Sequence, residues 1–164
     1  MTVQIRPATD ADLDTILEIH NAAIRDSLAL WTETEVDRAD RERWLAAHVA
    51  GGHPVIVAEV DGEIAGYAAY SQWREKSGYR FTVENSVYVA AAYQRRGIAR
   101  ALMVELIAIA REAGMHVMIG AIEAGNTASI SLHEQLGFEP PMIVREVGIK
   151  FGDWLDLALM RLEL

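Results

Sequence analysis

Gln94-Arg95-Arg96-Gly97-Ile98-Ala99-Arg100 gathers three guanidinium groups, a glycine and a small residue where an apolar strand gives way to a long helix. Such a junction has the parts of an anion site. The first turn of a helix leaves N–H groups without partners, and its dipole favours negative charge. A guanidinium holds a phosphate with two parallel hydrogen bonds. Gly97 lets the backbone approach a ligand closely, and Ala99 leaves room at the first turn. A surface loop with solvated arginines accounts for the same charge. The spacing is not that of a P-loop, and no G-x-G-x-x-G occurs, so a nucleoside triphosphate and a dinucleotide are poor candidates.

The strand before this loop is Thr82-Val83-Glu84-Asn85-Ser86-Val87-Tyr88-Val89. A carboxylate among apolar neighbours is partly desolvated, which raises its proton affinity toward that of a useful base. A solvent-facing glutamate on an edge strand is the alternative. Other chemistry lacks its pattern. His20, His48, His53, His116 and His133 are scattered with no H-E-x-x-H or comparable ligand spacing, so no metal is expected. There is no G-x-S-x-G elbow. The chain has no cysteine, which removes disulfides, thiolate metal sites and cysteine nucleophiles together.

The elements that must position these residues follow from punctuation and periodicity. Thr2–Arg6 reads as a short edge strand closed by Pro7. Thr9–Asp12 starts a helix with acids in its first turn, and Leu13, Ile16, Leu17, His20 and Ile24 give it one buried stripe. A second helix spans Asp40 to Val49, with Trp44, Leu45 and His48 on one face and Gly51-Gly52 at its end. Val55–Val60 and Glu63–Tyr70 flank Asp61-Gly62, a hairpin signal. Phe81–Val89 is a further strand. Gly97–Ala113 is a long helix striped by Ile98, Leu102, Leu106, Ile109 and Ala113 and stopped by Gly114. Val117–Ile122 is a buried strand, Ala128–Leu136 a short helix, and Phe138–Leu164 one or two strands. The order β-α-α-β-β-β-α-β-α-β-β predicts an α/β (α+β) domain, a mixed sheet with helices packed on it.

With 164 residues, 51% of them apolar and 24% charged, a single domain over 1–164 with its own core is expected. No linker, repeat or apolar leader interrupts that reading, and a cytoplasmic location is the default. The formal net charge of −9 opposes a broad footprint on nucleic acid or an anionic membrane. An anionic ligand must sit on a local basic cluster.

Gln94-Arg95-Arg96-Gly97-Ile98-Ala99 resembles the Q/R-x-x-G-x-G/A phosphate loop of the GNAT superfamily of N-acetyltransferases, and Asn126 through Phe138 is similar to its downstream N…[AS]-x-x-L-(Y/H)-x-x-x-G-F motif. The T-V-E-x-S-V-Y-V string at Thr82–Val89 and K-F-G-x-W-L-D-L at Lys150–Leu157 resemble, more narrowly, the phosphinothricin and methionine sulfoximine acetyltransferases. Leu30-Trp31, Gly66-Tyr67, Trp73-Arg74 and His116-Val117-Met118 belong to the same match, which covers nearly the whole chain. It departs at Asn85, where that group usually carries histidine, and at Glu75-Lys76. Both positions bear on the identity of the amine more than on the reaction.

The resemblance implies a GNAT fold, with a mostly antiparallel central sheet flanked by helices. It implies acetyl-coenzyme A as co-substrate, bound by Tyr88, Val89, Ala90, Arg95, Arg96, Gly97, Ile98, Ala99, Arg100, Ala101, Asn126 and Ser129. Transfer to an amine requires that the ammonium first lose a proton, and Glu84 is the implied base. Backbone groups at Tyr88–Ala90 would meet the pantetheine arm and the thioester carbonyl. His133 stands where many members carry a tyrosine that protonates the departing thiolate; it is equally read as a packed helix residue. Arg74 and Arg80 suit an α-carboxylate, with Trp31 and Trp73 as walls and Glu75, Lys76, Thr82, Asn85, Ser86 and Val87 completing the amine pocket. The implied substrate is a small amino-acid analogue such as methionine sulfoximine, methionine sulfone or phosphinothricin, and the implied assembly is a homodimer through the Lys150–Leu157 hairpin. A peptide or protein amine is a second acceptor class. A coenzyme-binding sensor without turnover is a third reading, one that has no use for a base at Glu84.

Overall fold

A computed structural model describes residues 2–164. Asp61 and Gly62 both adopt positive φ, 51° and 88°, forming the tight turn expected between two strands. Those strands are β2 (Val55–Val60) and β3 (Glu63–Gln72). The others are β1 (Val3–Pro7), β4 (Thr82–Val89), β5 (Val117–Glu123), β6 (Met142–Lys150) and β7 (Asp153–Glu163). Four helices accompany them: α1 (Leu13–Asp26), α2 (Arg38–Ala50), α3 (Ile98–Glu112) and α4 (Thr127–Gln135). The sheet order is β1-β2-β3-β4-β5-β7-β6. Every neighbouring pair is antiparallel except β4 and β5. This is the mixed, mostly antiparallel α/β arrangement that the sequence predicts.

Two apolar layers sandwich the sheet. On one side α3 buries Ile98, Leu102, Met103, Leu106, Ile107 and Ala110 against β2, β3, β4 and β5. On the other, Leu13, Ile16 and Ile19 of α1 and Leu45 of α2 pack on Val55, Val57, Tyr67 and Ala69.

The helix stripes differ in detail from the sequence expectation. In α1 the buried side chains are Leu13, Ile16, Ile19, Asn21 and Ile24, with Leu17 and His20 at the edge of the stripe. Ala113 caps α3 and is exposed, because the helix ends one residue before it. α2 begins at Arg38 rather than Asp40 because Asp37 caps it, its Oδ1 accepting the Asp40 N–H at 2.8 Å. The C-terminal segment resolves into two paired strands, β6 and β7, with β6 at the sheet edge.

The strand pair that is parallel creates the cleft. β4 and β5 are in register only over Thr82–Glu84 and Val117–Ile119. Past Glu84 they diverge, while β3 stays paired with β4 as far as Val89.

Candidate active site

The chain leaves β4, makes a single 3-10 turn at Ala91–Tyr93 and enters α3 through two residues of positive φ, Arg95 (59°) and Gly97 (80°). The first intrahelical bond is from the Ala101 N–H to the Gly97 carbonyl at 3.0 Å. The N–H groups of Ile98, Ala99 and Arg100 lie ahead of it and point out of the helix end. A Cβ on Gly97 would meet nothing within 4 Å, so the backbone sign, rather than crowding, calls for glycine here. These groups line a groove of about 590 Å³ together with Arg95, Val89 and Asn126. Arg96 stands instead over the Tyr93 ring, 5.6 Å from its centroid. Ala101, expected among the coenzyme contacts, has its N–H engaged inside the helix.

A second groove of about 610 Å³ shares Val89, Gln94 and Asn126 with the first and follows β4 past Tyr88 to α1 and the loop after it, where Ser27 and Ala29 border it. The two grooves make one path from the helix end into the splay. Along β4 alternate residues turn their backbone groups to opposite neighbours. The Ala90 N–H is bonded to the Ala65 carbonyl at 2.9 Å, so Ala90 faces β3. The backbone groups of Val87 and Val89 face the splay. Of the Tyr88–Ala90 backbone expected to meet the pantetheine arm and the thioester carbonyl, Val89 faces the splay, as does Val87 before it. Asn126 caps α4, its Oδ1 accepting the Ser129 N–H at 3.1 Å, and the residue lines both grooves.

Side chains on β4 alternate between the two faces. Thr82, Glu84, Ser86 and Tyr88 share the face of α1 and α2, opposite Ser71, Ala69 and Tyr67 of β3. Glu84 is half-buried, and burial raises its pKa above the usual carboxylate value while the Arg74 guanidinium pulls it back. Tyr88 is pushed up to about 12, first by burial and then by the Glu84 charge, so its hydroxyl stays protonated.

Asn85 and Val87 occupy the opposite face. Asn85, expected at the amine, is 9% exposed, donates to the Ile119 carbonyl at 3.1 Å and meets His133 Nε2 at 3.2 Å. His133 is 1% exposed, its Nδ1 lies 2.8 Å from the Ser129 carbonyl, and Phe138 packs on its ring. Burial lowers its pKa, against the Ser129 carbonyl. Both ring nitrogens have polar partners within the chain.

The β3–β4 loop flanks Glu84. Gln72 Nε2 donates to the carbonyls of Arg74 (2.6 Å) and Lys76 (3.3 Å), shaping the turn. Arg74 lies over the Trp73 ring at 4.7 Å, and Trp73 meets Tyr79 edge-on. Arg74, Glu75, Lys76 and Arg80 are exposed; Arg80 covers Phe81 and donates to the Ser77 carbonyl. Trp31 packs its ring against Gly148 of β6 and donates its Nε1–H to the Leu28 carbonyl at 3.0 Å.

Sequence reasoning missed a buried cluster on the Glu84 face. Tyr67 Oη is 3.1 Å from His20 Nδ1, and the Arg41 guanidinium approaches the same nitrogen at 3.5 Å. With a guanidinium donor there, Nδ1 is the acceptor and the proton sits on Nε2. Burial and then Arg41 push the His20 pKa from 6.5 to about 4. Tyr67 stacks at 5.3 Å on Tyr88. His20 on the α1 stripe was the available signal.

A family model for the acetyltransferase (GNAT) family matches residues 16–138. An L-methionine sulfoximine/L-methionine sulfone acetyltransferase of Pseudomonas paraeruginosa is 48% identical over 165 residues, covering 100% of this chain and 96% of the relative. A solved ribosomal-protein-alanine N-acetyltransferase from Brucella melitensis has a TM-score of 0.97 at 48% identity, covering 98% of this chain and 99% of that one. A phosphinothricin acetyltransferase from Sinorhizobium meliloti, solved in complex with acetyl-CoA, has a TM-score of 0.97 at 35% identity, covering 100% and 89%. The loop entering α3, the splay of β4 from β5 and these full-length matches agree, and the chain belongs to the acetyltransferase (GNAT) family.

Proposed function

We propose that this chain moves the acetyl group of acetyl-coenzyme A to the α-amine of a small amino-acid analogue of the methionine sulfoximine, methionine sulfone or phosphinothricin type. One observation carries the reading: the groove that begins at the α3 N-terminus runs along the strand that holds the half-buried Glu84. The coenzyme suits the residues present. Its diphosphate is matched by the free N–H groups of Ile98, Ala99 and Arg100 and by the guanidinium groups of Arg95 and Arg100.

Glu84 takes a proton from the acceptor's ammonium, directly or through a water, and frees the lone pair that attacks the thioester. Its raised pKa suits that task. A backbone N–H of Val87 or Val89 aimed at the carbonyl oxygen contributes about 3 kcal/mol to the barrier reduction. The engaged nitrogens of His133 support a proton source for the thiolate other than that ring. Arg74, beside Glu84, is the better placed of the two arginines for the acceptor's carboxylate. The reading treats 1–164 as one catalytic domain in the cytoplasm.

Supporting a homodimer, Met142, Ile143, Val147, Ile149, Phe151 and Trp154 of the β6–β7 hairpin are each at least 45% exposed, an apolar concentration that a second copy would cover.

Free thiol released from acetyl-coenzyme A in the presence of each amine tests the function. Release with methionine sulfoximine, the sulfone or phosphinothricin is expected, and none above background with any of them removes this substrate class. Acetylation of a protein amine is the second reading, favoured by the Brucella structure's description. A protein N-terminal peptide that suppresses acetylation of the free amino acid and is itself acetylated would establish it.

A further inference from the structure

Lys150, the last residue of β6, is 1% exposed. Its Nζ donates to three carbonyl oxygens, those of Ile24 (2.7 Å), Ser27 (2.6 Å) and Leu30 (2.7 Å). An ammonium has three donors, and all three are matched. Ile24 lies in the last turn of α1, where the helix dipole favours a cation. Ser27 and Leu30 bracket Ala29. Two residues back along β6, Gly148 leaves the space that the Trp31 ring fills; a Cβ there would lie 2.1 Å from Trp31 Cε3. Local bonds hold the same stretch: Ser27 Oγ donates to the Ala23 carbonyl, and the Ala29 N–H donates to Ser27 Oγ.

This loop borders the chemistry. Ala29 lines the groove beside Tyr88–Ala90 and also a small cavity bounded by Ser86 and Glu123. A buried cation is costly to desolvate, and a space-filling residue would be apolar. Burial lowers the Lys150 pKa, while the Glu33 carboxylate opposes the shift. The cation therefore does something that packing alone does not: it fixes three carbonyls at once.

We propose that Lys150 is a positioning residue for the acceptor site, its ammonium holding Ser27–Trp31 as the wall of the cleft beside β4. The C-terminal hairpin thereby sets where the amine meets the thioester. The inference rests on reading this cleft as the acceptor site.

The absence of native cysteine permits a direct test. Lys150→Cys is alkylated in denaturant and refolded, either with 2-bromoethylamine, which restores an ammonium at lysine length, or with 1-iodopropane, which gives the same length without charge. Native protein is carried through both treatments as the control. In the propyl form kcat/KM for methionine sulfoximine should fall by about 100-fold, the usual cost of misplacing reacting groups by an ångström. Its coenzyme A Kd, set mainly by the diphosphate contacts at the α3 terminus, should stay within about threefold of native. The aminoethyl form should match native in both.

Equal activity of the two forms, or a propyl loss that appears equally in coenzyme A affinity, overturns the proposal. Should the propyl form not refold, Gly148→Ala decides. It displaces Trp31 with Lys150 intact, and unchanged amine kinetics refutes the role of the wall. Native protein that acetylates none of these amines refutes the substrate reading instead. Amide exchange at residues 28–31 then still reads the hold of Lys150, and equal protection in the native and propyl forms refutes it.

Discussion

Replacing His20 with glutamine removes a titrating group while leaving Tyr67 Oη an amide acceptor. In the folded chain His20 titrates near 4 rather than 6.5, because burial and the Arg41 charge disfavour the imidazolium. The unfolded chain therefore binds the extra proton between these values. A base whose folded pKa is depressed contributes nothing unfavourable above 6.5 and costs stability progressively as pH falls from 6.5 toward 4. Between pH 7.5 and pH 4.5 the cost from this one group is about 2.5 kcal/mol. Urea unfolding followed at both pH values checks it. Native protein should lose about 2.5 kcal/mol more than His20→Gln across the interval, all other groups cancelling in the comparison. Equal losses would show that His20 is not held neutral by Arg41 and the core, and would break the assignment of its Nε2–H tautomer.

Arg100→Ala should raise the coenzyme A Kd by about tenfold, the worth of one charge-assisted phosphate contact, and flatten its salt dependence; calorimetry at two ionic strengths reads both. Asp12→Ala should cost about 2 kcal/mol, because Asp12 accepts from the two terminal Arg6 nitrogens at 2.8 Å and from the Thr9 N–H. The Arg6 bonds depress its pKa, so that stability is full above the ordinary carboxylate value and is lost as pH falls through the depressed one, which urea midpoints from pH 7 to pH 3 will show. For the proposed homodimer, native protein should sediment at twice the chain mass and Trp154→Lys, at a 64% exposed position, at the single-chain mass, whereas equal masses assign the exposed hairpin another role.

The fold was largely legible because its signals are local. Asp61-Gly62 fixes one hairpin by backbone sign, and the apolar stripe of Ile98, Leu102 and Leu106 fixes the long helix that the loop enters. The loop that enters α3 was legible for the same reason, since loop and helix are contiguous in sequence. What lay beyond reach was long-range. Nothing near Asn85 reveals that its amide meets His133, 48 residues away, because strand phase decides the face and the phase depends on the β3 and β5 registers. No local signal at Trp31 reveals that its ring packs on Gly148, far along the chain. Nothing near Lys150 in sequence reveals its burial, which the end of α1 explains.

The central claim is that Glu84, on the strand that the groove follows, removes the ammonium proton while the α3 terminus anchors the coenzyme. Glu84→Gln keeps the shape and removes the base. Coenzyme A affinity by calorimetry should be unchanged, and kcat for methionine sulfoximine by thiol release should fall by about 10²- to 10⁴-fold, the usual contribution of a general base. Turnover equal to native would contradict the account.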